Sequence, residues 1–297
     1  MDIPDSSISD KQVALILEYK KYLAGKRTSP PGEIISIPQV RSVFSHIENY
    51  YLWRHGATNV SERNELAGGV SDEEKNDPTK NISLSRKGRT GTVEFARSLV
   101  GRQIKALARK HDSYVATSDL NRAQETAKIN LALTTYGMRP AGHGRRFDRL
   151  YRAPHVPFET REGLHERRLG KDFSTSASVG RDKLNDITYS PENGENTSTY
   201  VRRVVKEFSE LAKTAKDEGK KDIFVAGGHS DGLLTSLAIL MALGLAEKGQ
   251  GWDGAIKSYE VLHLTRNTSG KFSIDVLKPK ERPSRLKKTT PQPQLSK

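Results

Sequence analysis

Between residues 47 and 277 the chain switches repeatedly between two hydrophobic periods, and this alternation limits its fold more than any other feature. Residues 47–53 form a short apolar strand, and 85–109 carry helical spacing through Val93, Ala96, Leu99, Ile104 and Leu107. The next strand spans 114–117. Helices follow over 121–136 and 197–216, then a strand at 223–226, a buried helix over 233–245, and a closing pair of strands at 258–264 and 272–277. Such an order predicts an α/β domain, a layered sheet flanked by helices, with ligands at the carboxyl ends of the strands. The loops at 54–69, 118–122 and 227–232 are where chemistry is expected.

The flanks read differently. Residues 1–45 form an N-terminal extension, with an amphipathic helix over 9–24 built on Val13, Ile16, Leu17 and Leu23 and stopped by Gly25. Ser29-Pro30-Pro31-Gly32 breaks the chain, and 34–43 read as an irregular apolar connection. The helix has three readings: a docking element, a homodimer contact or a partner motif. Residues 46–277 are the domain proper. Residues 278–297 hold seven basic side chains against Glu281, with four prolines, and read as a disordered basic tail for an acidic partner, acidic lipid or nucleic acid.

Composition removes whole classes of function. The 297 residues carry 49 Lys+Arg against 36 Asp+Glu, a formal charge of +13. No transmembrane segment is readable, and the acidic, Ser-rich start lacks a signal-peptide pattern, so a cytoplasmic location is expected. Without cysteine there is no disulfide framework, thiolate nucleophile or Cys-ligated metal, and no other metal-ligand spacing is evident.

Three strand ends carry candidate chemistry. Arg54-His55-Gly56 places a cation, a nucleophile and flexible backbone on one loop, as a phosphate site needs, although a surface loop would hold the same triplet. Ser118-Asp119-Leu120-Asn121-Arg122 puts Arg122 at a helix start, where a solvated arginine is the plain alternative. Gly227-Gly228-His229-Ser230 brings a second histidine to a strand end, where a core histidine is the alternative.

Taken together, these segments resemble the histidine phosphatase superfamily, the phosphoglycerate-mutase-like proteins. Arg54-His55-Gly56, Ser118 to Thr126, Leu164-His165-Glu166-Arg167-Arg168-Leu169-Gly170 and His229 occur in the family order. The resemblance spans roughly residues 47–277 and implies a phosphoglycerate-mutase-like fold. It implies that His55 is the phosphorylated nucleophile, that Arg54, Arg122 and His229 hold the phosphoryl oxygens, and that Glu166 is the general acid and base. Thr58 adds a hydroxyl, against the alternative of a local turn bond. Glu166 has its own alternative, an ion-paired surface carboxylate among Arg161, Arg167 and Arg168, with Glu159 and Glu162 close by. Two guanidiniums and an imidazole neutralise a transferring phosphoryl group without a metal or other cofactor. Three positions depart from the family pattern: Ser61, Asp119 and Ser230.

The implied activity is hydrolysis of a small phosphomonoester through a phosphohistidine. A phosphoglycerate-type mutase is the alternative, distinguished only by whether water or a second phosphorylated molecule takes the group. Residues 171–190 read as a variable lid. A third reading, a phosphate-binding or nucleic-acid-binding protein without catalysis, rests on Arg139, Arg145, Arg146, Arg149 and Arg152 with Phe147 and Tyr151.

Overall fold

The computed structural model describes residues 8–65, 68–71, 73–77, 79–133, 154–170, 183–249 and 252–279. The arginine cluster at 139–152, most of the expected lid and the tail beyond Pro279 lie outside the described residues.

The centre is a seven-stranded mixed sheet in the order β3-β2-β4-β1-β6-β7-β5. Its strands are β1 (Asn49–Arg54), β2 (Ser113–Ser118), β3 (Glu159–Arg161), β4 (Asp222–Gly228), β5 (Ala246–Glu247), β6 (Val261–Arg266) and β7 (Phe272–Leu277). β3, β2, β4 and β1 run parallel. β6 turns antiparallel to β1, and β7 to β6.

Alternating side chains give each central strand two apolar faces. Tyr50 and Leu52 of β1, with Ile223 and Val225 of β4, join one core cluster. Tyr51 and Trp53, with Phe224 and Ala226, join the cluster on the opposite face. Register is pinned by stacking: Tyr51 lies 4.4 Å from its partner Phe224 on one side and 4.4 Å from its partner His263 on the other.

The first face is covered by α1 (Asp10–Leu23), α2 (Pro38–Phe44), α7 (Thr197–Asp217) and α8 (Ser230–Ala242), and the second by α4 (Arg86–Arg97), α5 (Leu99–Ala108) and α6 (Asn121–Leu131). A single-turn α3 (Asn59–Glu62) follows β1. α1 lies inside the main core: Val13, Ile16, Leu17 and Leu23 are almost fully buried with Leu237, Leu240 and Met241 of α8. A Ser9–Gln12 capping box starts α1.

The expected helix over 85–109 is two helices. Ser98 leaves helical geometry at ψ 164°, and its hydroxyl accepts from Gly101 N at 3.0 Å to start α5. Gly101 allows the sharp junction, since a Cβ there would meet Phe95 O at 2.1 Å. The expected irregular stretch at 34–43 contains α2, whose first turn begins at Pro38, where proline's fixed φ favours a helix start. α8 begins at Ser230, earlier than expected at 233, so His229 is its N-cap residue. Among the described residues no helix is long and apolar enough to cross a membrane.

Candidate active site

The carboxyl ends of β1, β2 and β4 lie side by side and deliver His55, Ser118 and His229 to one place. Ladder partners step from Trp53↔Ala226 to Arg54↔Gly228, so Gly227 is the extra residue of a bulge at that end. Only glycine suits this position: φ is +83°, and a Cβ would meet Ala123 O at 2.4 Å. Beyond the bulge, His55 N donates to Gly228 O at 2.9 Å, which locks the His55 backbone to the residue preceding His229.

His55 is 3% exposed. Its Nδ1 lies 2.7 Å from Gly56 O, and a carbonyl only accepts, so Nδ1 carries the proton and Nε2 keeps its lone pair. Burial, with Arg122, His229 and Arg54 nearby, holds the imidazole well below its usual pKa against the pull of Glu166. His55 is therefore a neutral, oriented imidazole at neutral pH, with Nε2 unprotonated.

His229 lies 5.2 Å from His55 between ring centroids. Its Nε2 meets Ser118 Oγ at 2.9 Å, and its Nδ1 faces Glu166 Oε2 at 3.4 Å. Burial pushes its pKa down to about 4, although Glu166 favours the charged form.

Arg122, the second residue of α6, is fully buried. One amino group donates to Gly68 O at 2.7 Å and to Glu166 Oε2 at 2.6 Å. Its Nε and Nη1 are buried and make no hydrogen bond among the described residues. A buried guanidinium with two donors unmatched by protein is costly unless an anion meets them.

Glu166 thus pairs with Arg122, not with the neighbouring surface arginines. Arg161 engages Glu207 at 2.7 Å and Glu159 at 3.0 Å, and Arg167 turns into the protein. Burial pushes the Glu166 carboxyl up, but His229, Arg122 and His55 outweigh it and hold the group well below the usual carboxylate range. Ligating atoms of His55, Glu166 and His229 all lie within 4.8 Å of one another. These are the donor types of a two-histidine, one-carboxylate metal centre. Arg122 already occupies the same carboxylate, and Arg54 adds positive charge, so the field here favours an anion over a cation.

Thr58 is fully buried, and its Oγ1 accepts from Ser61 N at 3.1 Å while Ser61 Oγ accepts from Thr58 N at 2.8 Å. The pair caps α3, the local turn bond named above as the alternative; Ser61, one of the departures, is half of it. Asp119, another departure, accepts from His165 Nδ1 at 2.7 Å and faces Lys75 at 3.1 Å. His165 Nε2 accepts from Val70 N at 2.8 Å, so both ring nitrogens are fixed. This Asp119–His165 pair joins the residue after Ser118 to the residue before Glu166. Sequence reasoning missed it, and its one visible signal was the acidic residue at the family's proline position.

Residues 50–139 match the model of the histidine phosphatase superfamily (branch 1). No curated protein matches the chain significantly in sequence. Among solved structures, that of the open reading frame Rv3214 from Mycobacterium tuberculosis is 19% identical with a TM-score of 0.50, covering 77% of this chain and 96% of that one. The mycobacterial glucosyl-3-phosphoglycerate phosphatase Rv2419c is 17% identical at a TM-score of 0.48, with 77% and 98% covered. Phosphoglycerate mutase from Bacillus anthracis str. Sterne is 15% identical at 0.48, with 80% and 95% covered. The matched stretch holds Arg54, His55 and Arg122; Glu166 and His229 lie beyond it and are placed beside them by the fold. The chain resembles the histidine phosphatase superfamily both in the pattern of residues 50–139 and in the fold that carries it.

Proposed function

We propose that the chain hydrolyses a small phosphomonoester through a phosphohistidine at His55. The observation that carries this reading is Arg122, fully buried with Nε and Nη1 making no hydrogen bond among the described residues, and close enough to His55 for its charge to lower the imidazole pKa. Phosphoryl oxygens match those donors in charge and in planar geometry. Arg54 and His229 complete the electrostatic clamp.

In the first step the Nε2 lone pair attacks phosphorus, an N–P bond forms and the bond to the leaving oxygen breaks. Glu166 protonates the departing alkoxide. The carboxylate is ionised in the unliganded protein, so it must gain that proton on substrate binding. A phosphate on Arg122 diverts the guanidinium from Glu166 and sets negative charge beside it, and both effects raise the carboxyl pKa. In the second step Glu166 takes a proton from water, hydroxide attacks phosphorus, the N–P bond breaks, and inorganic phosphate leaves with His55 neutral again.

The test is phosphate release from an aryl phosphate and a panel of sugar, nucleotide, glycerate and peptide phosphates, with and without bisphosphoglycerate. Release that is lost in His55→Ala supports hydrolysis. Stimulation by the bisphosphate with transfer to a monophosphate makes the chain a mutase, and no turnover with retained phosphate binding makes it a binder.

A further inference from the structure

The N-terminal helix sends a lysine to the active-site helix. Lys20, in the last turn of α1, is 2% exposed, and its Nζ lies 2.5 Å from Asp231 Oδ1, itself 14% exposed. Asp231 sits in the first turn of α8, two residues after His229, the N-cap of that helix. No hydroxyl or carboxylate side chain caps this end: His229 makes no cap bond of its own. What anchors the turn from outside is the α1 lysine. Further bonds hold the extension in place: Arg202 donates to Asp10 Oδ1 at 2.7 Å, and Ile35 N donates to Ala242 O at 2.7 Å, at the far end of α8.

We propose that Lys20 is a positioning residue for His229, so that the N-terminal extension is a working part of the catalytic centre. A buried ammonium and a half-buried carboxylate at the start of α8 each need a counter-charge, and among the described residues Lys20 is the one in ion-pair contact with Asp231. Buried Arg167 also feels Asp231, but its donors are committed to backbone carbonyls and Thr197, and Tyr200 near the same carboxylate is a neutral phenol. With Lys20 removed, the first turn of α8 must shift to hydrate or re-pair Asp231. The His229 ring then leaves its 2.9 Å contact with Ser118 and its place beside Glu166. Misplacement of a transition-state group by about 1 Å costs up to about a hundredfold in rate.

The experiment compares Lys20→Met, Asp231→Asn and the K20M/D231N double variant in the full chain, below the melting range of each. Its activity readout rests on the phosphohistidine reading; its second readout, the imidazole NMR signals of His229, does not. In K20M, kcat is expected to fall about tenfold to a hundredfold with a smaller change in KM, and the His229 signals to move away from those of the Ser118-bonded ring. In the double variant, which removes both charges together, kcat and the signals are expected to return most of the way. If K20M does not fold, the same comparison is read between D231N and the double variant. Unchanged kcat and His229 signals in K20M overturn the proposal, as does a double variant no better than the worse single one. A wild-type chain without phosphatase activity overturns the phosphohistidine reading instead, and the His229 signals still decide the role of Lys20.

Discussion

Two arginines of this protein are equally inaccessible and chemically opposite. Arg122 is fully buried and Arg167 is 1% exposed. The Arg167 guanidinium donates to Glu195 O at 3.0 Å, Leu184 O at 3.4 Å, Tyr189 O at 3.1 Å and Thr197 Oγ1 at 2.8 Å, and it lies 4.6 Å from the centre of the Tyr189 ring. Every nitrogen has a partner, and those partners tie the start of α7 to the segment leading into it. Arg122 has one nitrogen engaged and two that make no hydrogen bond among the described residues, near the His55 imidazole. Burial alone says nothing about role; what separates a structural guanidinium from an anion-binding one is whether the protein itself satisfies it.

The comparison breaks most sharply on paired substitutions. Arg122→Met is expected to lower kcat/KM by about a thousandfold, the scale of losing a phosphate-clamping charge, while the melting temperature stays level or rises. Arg167→Met is expected to do the reverse. It strips several buried acceptors of their donor and destabilises by about 3–5 kcal/mol in a chemical melt, with kcat of the folded fraction much less changed. If Arg167→Met proves the more damaging to turnover, the distinction collapses.

Glu166→Gln comes next, with a loss of about a hundredfold or more on alkyl phosphates and a smaller loss on aryl phosphates, whose leaving groups need less protonation. Comparing the two substrates in burst and steady-state assays separates the acid step from the water-activating step. The pH profile is subtler. Lowering the pKa of His55 favours its neutral, nucleophilic form, so the acid limb of kcat/KM should fall well below the ordinary histidine value of about 6.5. A limb centred near 6.5 and traced to His55 would mean that the imidazole is not held in a buried cationic field. Smallest is Asp119→Asn: it weakens the bond to His165 Nδ1 while leaving every reacting group present, and a severalfold loss in kcat is expected.

Much of this arrangement was legible because it is local. β1, β2 and β4 announce themselves as short apolar runs, and the residues at or just past their ends, His55, Ser118 and His229, must then share one edge of the sheet. Short polar β3 and two-residue β5 have no such pattern and exist through pairing with β2 and β7. The Ser98 break was hidden because apolar spacing runs through it almost in phase, while the cause is a serine hydroxyl and a close backbone approach at Gly101. Pairings distant in sequence, such as Lys20 with Asp231 and Asp119 with His165, have no periodic trace. For the same reason a reading of Thr58 and Glu166 from sequence left two roles open for each, and only the fold shows Thr58 capping α3 and Glu166 against Arg122.

The central claim is that His55 carries the phosphoryl group, and trapping it is the most direct measurement. The protein is mixed with a radiolabelled phosphomonoester and quenched within one turnover, and the label is tested for acid and alkali stability. A phosphoprotein that is acid-labile and alkali-stable is expected, formed in wild type, absent in His55→Ala, and longer-lived in Glu166→Gln, where water is no longer activated. Phosphate release with no such intermediate, or label retained when His55 is replaced, would contradict it.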